Sequence, residues 1–284
     1  MIDSHAHILT DDQDRYPPSP PSGEIKPGEL DDPMTIERLL ADMEGAGVDK
    51  AVLVQRGSVY GFDNSYVCDS VMLAPEKLAA VCAINGEEDA AADRVRHWVG
   101  ERNAVGIRFM ELVRDKGIGW LDSSSARGAW RAAVDLNVPT CVHFFPWNRA
   151  IGLQYLHSIL QEMPQAHIVI DHFSNMDVNA GAPDFGLDDL LGQLVEFAGV
   201  TIKFTTIPLG RLDKAGVDAA PIVKRVVDHF GADRVMWGSD ISQSPGTYAY
   251  MSDLARKSVS LLDDHQKSLV LGGTAASLYG RNWS

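Results

Sequence analysis

Eight short apolar segments recur along the chain, and stretches with helical periodicity lie between them. The segments begin near residues 2, 50, 79, 104, 139, 167, 200 and 234. The spacing of about 25 to 50 residues is that of successive βα units. Short apolar runs without alternation are typical of strands that are buried on both faces of a parallel sheet. The pattern predicts an α/β fold, a (β/α)8 barrel (TIM barrel), as a single domain over residues 1–284.

The competing fold is a doubly wound sheet, which usually has a glycine-rich turn after its first strand. Here that turn reads His5-Ala-His-Ile-Leu-Thr10, so we favour the barrel. After the first strand, residues 10–32 carry five prolines and form a predicted lid loop over the active site. A surface excursion without a function is the alternative. A helix follows the loop, with Asp32 as its predicted N-cap.

The charge of the chain restricts its ligands. The net charge is −14 and the pI is about 5.0, so nucleic acid would be repelled over most of the surface. A small anionic substrate is compatible with one locally positive pocket.

The three cysteines have no CxxC spacing and are expected to be buried, reduced thiols. Without a cationic leader or an apolar run of membrane-spanning length, we expect a cytoplasmic protein with no membrane partner, either a monomer or a homo-oligomer.

Polar side chains gather at the predicted strand ends, which meet at one mouth of a barrel. On the first strand His5 and His7 share a face, because side chains alternate along a strand. Asp171 precedes His172 on the sixth strand, and we expect it to point into the wall in a structural role. Further polar residues at strand ends are Gln55, Arg56, Asn85, Arg108, His143, Lys203 and Asp240.

These residue types in one place indicate hydrolytic chemistry. His5, His7, His143 and Asp240 could hold a divalent metal ion, zinc being the expected one, with an open position for water. Asp240 would take the proton of that water, and His172 would polarise the electrophilic carbonyl. Without a metal, the same histidines would hold the carbonyl oxygen and Asp240 would remain the base. As plain alternatives, Asp240 could be a helix N-cap and His143 a hydrogen-bonded core residue.

Cationic residues near the same mouth suggest the substrate. Arg108 and Lys203 should face it, and a guanidinium suits bidentate binding of a carboxylate. Tyr60 is a further candidate for substrate binding at the rim. The alternative for Arg108 and Lys203 is an ion pair with Asp or Glu inside the barrel.

Several segments together resemble the amidohydrolase superfamily, and more narrowly the amidohydrolase 2 group that contains lactonases of pyrone dicarboxylates and sugars. The resemblance implies a distorted barrel in which His5, His7, His172 and Asp240 match the core positions and Asp240 activates water. It also implies that a metal is optional, since some lactonases of the group work without one. The segments that carry it are Ile2–His7, Val54–Tyr66, Gly106–Phe109, Val169–His172, Ile202–Phe204, Arg234–Asp240 and Leu271–Tyr279.

Two departures from the group's pattern affect the functional prediction. Gly272-Gly273-Thr274 stands where Gly-Gly-Asn is usual, and His143 stands where decarboxylases of the group have a metal ligand. We expect a hydrolase that opens a carboxylate-bearing lactone. A metal-dependent, non-oxidative decarboxylase is the first alternative, and a binding barrel without catalysis is the second.

Overall fold

The strands of the protein form one parallel sheet in sequential order from β1 to β8. A computed structural model describes residues 1–114 and 116–283. The sheet curls into a nearly closed barrel surrounded by helices, which confirms the predicted (β/α)8 fold. The strands are β1 (Ile2–Ala6), β2 (Lys50–Val54), β3 (Leu78–Ala83), β4 (Gly106–Met110), β5 (Thr140–His143), β6 (Ile168–Ile170), β7 (Val200–Thr205) and β8 (Val235–Gly238).

The helices lie between the strands and after β8. The α-helices are α1 (Ile36–Ala46), α2 (Gly57–Tyr60), α3 (Ser65–Val71), α4 (Ala91–Arg96), α5 (Ser124–Asp135), α6 (Arg149–Glu162), α7 (Asp189–Gly192), α8 (Thr206–Lys214), α9 (Ala220–Phe230), α10 (Tyr248–Ser258), α11 (Asp264–Ser268) and α12 (Thr274–Tyr279). Short 3-10 helices span Gly119–Asp122, Asp171–Asn175, Gln193–Glu196, Ala232–Arg234 and Gly280–Asn282, and π-helical turns span His97–Glu101 and Leu269–Gly273. None of the helices in the described part of the chain is long and apolar enough to cross a membrane.

The two faces of the sheet carry two different cores. On β2, Ala51 and Leu53 pack outward against the helices, whereas Val52 and Val54 join a smaller cluster inside the barrel. Tyr279 of α12 belongs to that inner cluster and is fully buried. The same alternation directs polar side chains of β4, β5 and β7 into the barrel above the apolar layer, because their apolar neighbours all pack outward.

The seam between β1 and β8 is closed by individual hydrogen bonds. In the described residues each strand from β1 to β8 pairs with the next one along the chain, and no strand ladder joins β8 back to β1. Across the seam, the backbone N–H of Asp240 donates to the carbonyl of His5 at 2.7 Å, and that of Ser239 donates to Asp3 Oδ1 at 2.8 Å. Gly238 makes this close approach feasible, since a Cβ there would lie 2.4 Å from the Cβ of His5.

The first helix begins later than predicted. Its N-cap is Thr35, whose hydroxyl accepts from the backbone N–H of Arg38 at 3.4 Å, so the expectation of Asp32 was wrong. Asp32 instead forms an ion pair with the Arg38 side chain at 2.7 Å.

The proline-rich loop, residues 10–32, has no assigned helix or strand and lies against the ends of β2 and α2. Ser19 N donates to the carbonyl of Val59 at 2.8 Å, and Thr10 N donates to the Tyr60 hydroxyl at 3.0 Å. Its role as a lid stays a prediction, but these bonds fix the loop beside the barrel mouth.

Candidate active site

Three side chains from the two sides of the seam converge inside the barrel. His5 of β1 and His7, one residue beyond its end, point the same way, and their Nε2 atoms lie 3.2 Å apart. Oδ1 of Asp240, just after β8, lies 3.6 Å from Nε2 of His5 and 3.5 Å from Nε2 of His7. We call these three residues the ligand triangle. All are buried.

Local structure orients Asp240 and His7 of the ligand triangle. Asp240 has a left-handed backbone (φ 58°), and its Oδ2 accepts from the Ser244 hydroxyl at 2.7 Å. Its Oδ1 is buried and has no hydrogen-bond partner among the described residues. Nδ1 of His7 lies 2.7 Å from the carbonyl of Val54, so Nδ1 carries the proton and Nε2 keeps its lone pair.

The ligand triangle fits a divalent metal ion. A tetrahedral ion with bonds of about 2.0 to 2.1 Å separates its ligand atoms by about 3.4 Å, and the three measured separations lie between 3.2 and 3.6 Å. The lone Oδ1 of Asp240 is the kind of buried oxygen that a cation satisfies. Two imidazoles and one carboxylate are ligands suited to zinc and its neighbours in the transition series.

Burial sets the charge of this site. It lowers the pKa of His5 and His7 and brings that of His172 to about 4, so these rings are neutral near pH 7. Burial by itself raises the pKa of Asp240, but the neighbouring histidines, His7 first among them, hold that pKa below its usual value. The site therefore offers neutral imidazoles and an ionised carboxylate, as metal binding requires.

A second group shares His5 but carries surplus positive charge. Asp171, His172 and His5 also lie close enough to hold an ion. However, Asp171 accepts from Nε of Arg108 at 2.9 Å and forms an ion pair with Nζ of Lys203 at 3.1 Å. Because these two cations already occupy the carboxylate, a further cation is disfavoured there. We call Arg108, Asp171 and Lys203 the buried charge cluster.

The buried charge cluster corrects two expectations. Asp171 was expected to point into the wall, but it lies inside the barrel and holds the cationic side chains of β4 and β7. Lys203 lies deeper in the barrel than the cavity, because it has no exposed surface and does not line the cavity wall. Lys203 therefore follows the ion-pair alternative instead of its predicted role in substrate binding. Arg108 pairs with Asp171 and also reaches the cavity.

The structure places His143 outside the ligand triangle and outside the second group. This differs from its predicted role as a metal ligand. Nη2 of Arg108 lies 3.3 Å from Nδ1 of His143, and an arginine can only donate. Nδ2 of Asn175, which also can only donate, lies farther from Nε2 of His143, at 3.5 Å. The shorter contact with Arg108 favours the tautomer with the proton on Nε2, which can then donate a hydrogen bond into the cavity that His143 lines.

His172 lies on a left-handed turn at the end of β6. Residues 172–175 all have φ near 50°, a conformation that non-glycine residues rarely adopt. The turn brings the His172 ring to 4.6 Å from that of His143 and places its Nδ1 2.7 Å from the Thr205 hydroxyl. Asn175, on the same turn, donates to the carbonyl of Phe144 at 2.6 Å.

A cavity of about 410 Å³ opens above these side chains. Its wall includes His7, His172, Asp240 and the exposed ring of Trp147, which stacks on Phe145 at 4.6 Å. Tyr60, predicted to bind substrate, is absent from the residues that line it in the described chain. Its hydroxyl instead accepts from the backbone of the proline-rich loop.

Several polar residues near the cavity were not selected from the sequence as site residues. Glu111 accepts from the side chains of Trp147 and Asn148 at 2.9 and 2.7 Å, and it is buried. Others are Lys26, Arg56, Asn175, Thr205 and Arg211. The only sequence signal for Arg56 and Thr205 was their position near a strand end.

Sequence and structure comparisons identify proteins similar to this chain. A family model described as amidohydrolase matches residues 2–281. No curated protein matches the sequence. An amidohydrolase from Burkholderia multivorans, solved with bound zinc, has a TM-score of 0.74 at 20% identity, with 98% of each chain covered.

Two further solved structures have the same fold at low identity. A probable 2-pyrone-4,6-dicarboxylic acid hydrolase from Acinetobacter baumannii, with citric acid bound, has a TM-score of 0.70 at 17% identity and covers 98% of each chain. A 5-carboxyvanillate decarboxylase from Novosphingobium aromaticivorans, with bound manganese, has a TM-score of 0.69 at 14% identity. The alignment covers 98% of this chain and 96% of the decarboxylase.

Proposed function

The chain belongs to the amidohydrolase family, and we propose that this amidohydrolase-type enzyme opens a lactone ring that carries a carboxylate. One observation carries the hydrolytic part of the proposal. The buried Oδ1 of Asp240 has no partner among the described residues and faces the two Nε2 atoms of His5 and His7 within 3.6 Å. A base and its neighbouring neutral imidazoles are thereby held ready for a water molecule.

The ligand triangle is where we propose that a divalent ion, zinc in the first instance, is held. When bound, such an ion would acidify a water molecule and polarise a carbonyl. Zinc and manganese occur in structures of similar fold. At these identities the likeness supports only the fold, so the donor set of this chain is the argument for a metal.

The side chains divide the remaining work. Asp240 takes a proton from water as the water oxygen attacks the carbonyl carbon. The Nε2–H of His143 donates to the carbonyl oxygen, and His172, held by Thr205, supports the same oxygen. The carbon–oxygen bond of the ring then breaks, and Asp240 returns the proton to the departing alkoxide.

The charge of the cavity wall supports an anionic substrate. Four of its residues are cationic, whereas Asp240 and Glu111 are its acidic ones in the described chain; the cations are Lys26, Arg56, Arg108 and Arg211. The excess contrasts with the net charge of −14 for the whole chain. The pyrone-dicarboxylic acid hydrolase of similar fold was solved with citric acid, which is also a polycarboxylate.

A non-oxidative decarboxylase is the second candidate, and the position of His143 favours it. This ring lies 4.6 Å from that of His172 in the cavity. Rotation of the His143 ring away from Arg108 would free a nitrogen for an ion beside the ligand triangle. The substrate carboxylate would then be the leaving group, and carbon dioxide the product.

The decisive experiment combines metal analysis with product analysis. Purified protein is assayed with carboxylated lactones and with hydroxybenzoates, before and after chelation, by proton release and carbon dioxide detection. We expect proton release from a lactone, and a loss of about 10²- to 10⁴-fold for Asp240→Asn. Asp253→Asn, on the exposed face of α10, is the matched control and should retain full activity. Carbon dioxide release without lactone opening would refute the lactonase proposal.

A further inference from the structure

Arg56 occupies an unusual position at the end of β2. Its side chain is 5% exposed and lines the same cavity as His7 and Asp240 of the ligand triangle. Nε of Arg56 donates to Oε1 of Glu29 at 3.1 Å, and Nη2 makes a short bond to the same oxygen. The remaining nitrogen, Nη1, is buried and has no partner among the described residues.

A buried donor without a partner costs free energy that the fold would ordinarily avoid. A guanidinium has two hydrogen-bonding edges suited to a carboxylate, one formed by Nε and Nη2 and the other by both Nη atoms. Glu29 occupies the first edge of Arg56. The second edge has no partner at Nη1 among the described residues, and its geometry suits a ligand with two acceptor oxygens.

The surroundings of Arg56 favour an anion as that ligand. Glu29 neutralises one positive charge, but Lys26 from the same loop also lines the cavity and restores a net charge of +1. The other arginine in the deeper wall, Arg108, already shares Asp171 with Lys203. Arg56 is therefore the buried arginine of this cavity that has a complete edge to offer.

We infer that the free edge of Arg56 binds a carboxylate of the substrate, while Glu29 holds the guanidinium plane in place. The inference rests on the proposed function, because it assigns the carboxylate of the proposed lactone to a particular residue. Glu29 and Lys26 both belong to the proline-rich loop, so this loop supplies the orienting acid and the additional positive charge. Arg56 thus distinguishes anionic substrates from neutral ones of the same shape.

The test measures binding by calorimetry with glutarate and with glutaramide, its neutral analogue. Neither compound is a lactone, so the result does not depend on whether the protein opens lactones. Arg56→Gln should weaken glutarate binding about tenfold to a hundredfold, since a charged hydrogen bond is lost. Glutaramide binding should change less than about threefold. Glu29→Gln leaves the charge of Arg56 without a neutralising partner and should retain or strengthen glutarate binding.

Arg149 provides a matched control. Like Arg56 it forms an ion pair with a carboxylate, here Asp188, and its buried Nε has no partner among the described residues. It does not line this cavity in the described chain, so Arg149→Gln should leave glutarate binding unchanged. Because Arg56→Gln leaves Glu29 buried and unpaired, the double variant Glu29→Gln/Arg56→Gln serves as a second test with no stranded charge and should also lose glutarate binding.

Three outcomes would overturn the inference. Glutarate could fail to bind the unmodified protein at millimolar concentration, or could bind the Arg56 variants as well as the unmodified protein. Alternatively, the Arg56 and Glu29 variants could weaken glutarate and glutaramide equally, which would identify the pair as a structural latch of the loop. Glutarate binding that depends on Arg56, in a protein that opens no lactone, would refute the proposed function and leave this carboxylate site standing.

Discussion

The buried charge cluster makes a sharp prediction about stability. Asp171 is fully buried and is the carboxylate between Arg108 and Lys203, at 2.9 and 3.1 Å. The cations hold the pKa of Asp171 well below its usual range, against the effect of burial, so it is ionised. The cluster carries two positive charges and one negative charge. Asp171→Asn therefore leaves two cations buried without a counter-charge.

Substitutions of Asp171 and of Lys203 should lower the stability of the protein by very different amounts. Removing one partner of a buried ion pair costs about 3 to 5 kcal/mol. At roughly 2 to 4 °C for each kcal/mol in a protein of this size class, Asp171→Asn should lower Tm by about 6 to 20 °C. Lys203→Met removes the surplus cation and leaves the neutral Arg108–Asp171 pair. Because the remaining pair is neutral, no uncompensated buried charge is left, and Lys203→Met should lower Tm by less than Asp171→Asn does.

Thermal unfolding followed by circular dichroism distinguishes these values. All proteins are measured with chelator at one scan rate, so that a bound metal does not add to the stability of any of them. The reasoning would be refuted if Lys203→Met proved at least as destabilising as Asp171→Asn. It would equally be refuted if Asp171→Asn shifted Tm by less than about 2 °C.

Three further predictions concern the seam, the cavity and the metal. Gly238→Ala places a Cβ 2.4 Å from that of His5 and should cost about 1 to 3 kcal/mol, measured by denaturation. Gly128→Ala, inside α5 with 3.6 Å of clearance, should instead stabilise by about 0.5 to 1 kcal/mol. Thr205→Val removes the partner of His172 Nδ1 and should lower kcat about tenfold with little change in metal content, by assay and elemental analysis. Zinc at about 100 times its Kd should add about 2.7 kcal/mol to the chelated protein, and an unchanged unfolding midpoint would count against the ligand triangle.

The barrel could be predicted because each strand is a short, continuous apolar run between turn-forming segments. All eight strands lie within about two residues of their predicted starts. The alternation of side chains on β1 also predicted correctly that His5 and His7 share a face. Closure of the sheet brings these histidines to Asp240, some 235 positions later. The prediction of eight βα units already indicated that closure.

The remaining site residues depended on details that periodicity does not contain. On β6, Ile168 and Ile170 pack outward and Val169 packs inward, so alternation itself places Asp171 inside the barrel. The left-handed turn that begins at His172 is the feature that periodicity does not contain, and it brings His172 to the cavity as well. β7 continues to Thr205, so Lys203 lies one layer below the mouth. The pairing of Glu29 with Arg56 joins a loop to a strand end, and nothing in either local sequence specifies that contact.

The ligand triangle spans the seam, with His5 on β1, His7 just after β1 and Asp240 just after β8. An ion bound by residues on both sides of the seam would stabilise the closed barrel, because separating β1 from β8 would also release the ion. A chain in which β1 and β8 have separated would therefore also lose the ligand triangle. Catalytic activity of this protein would then indicate directly whether its barrel is closed.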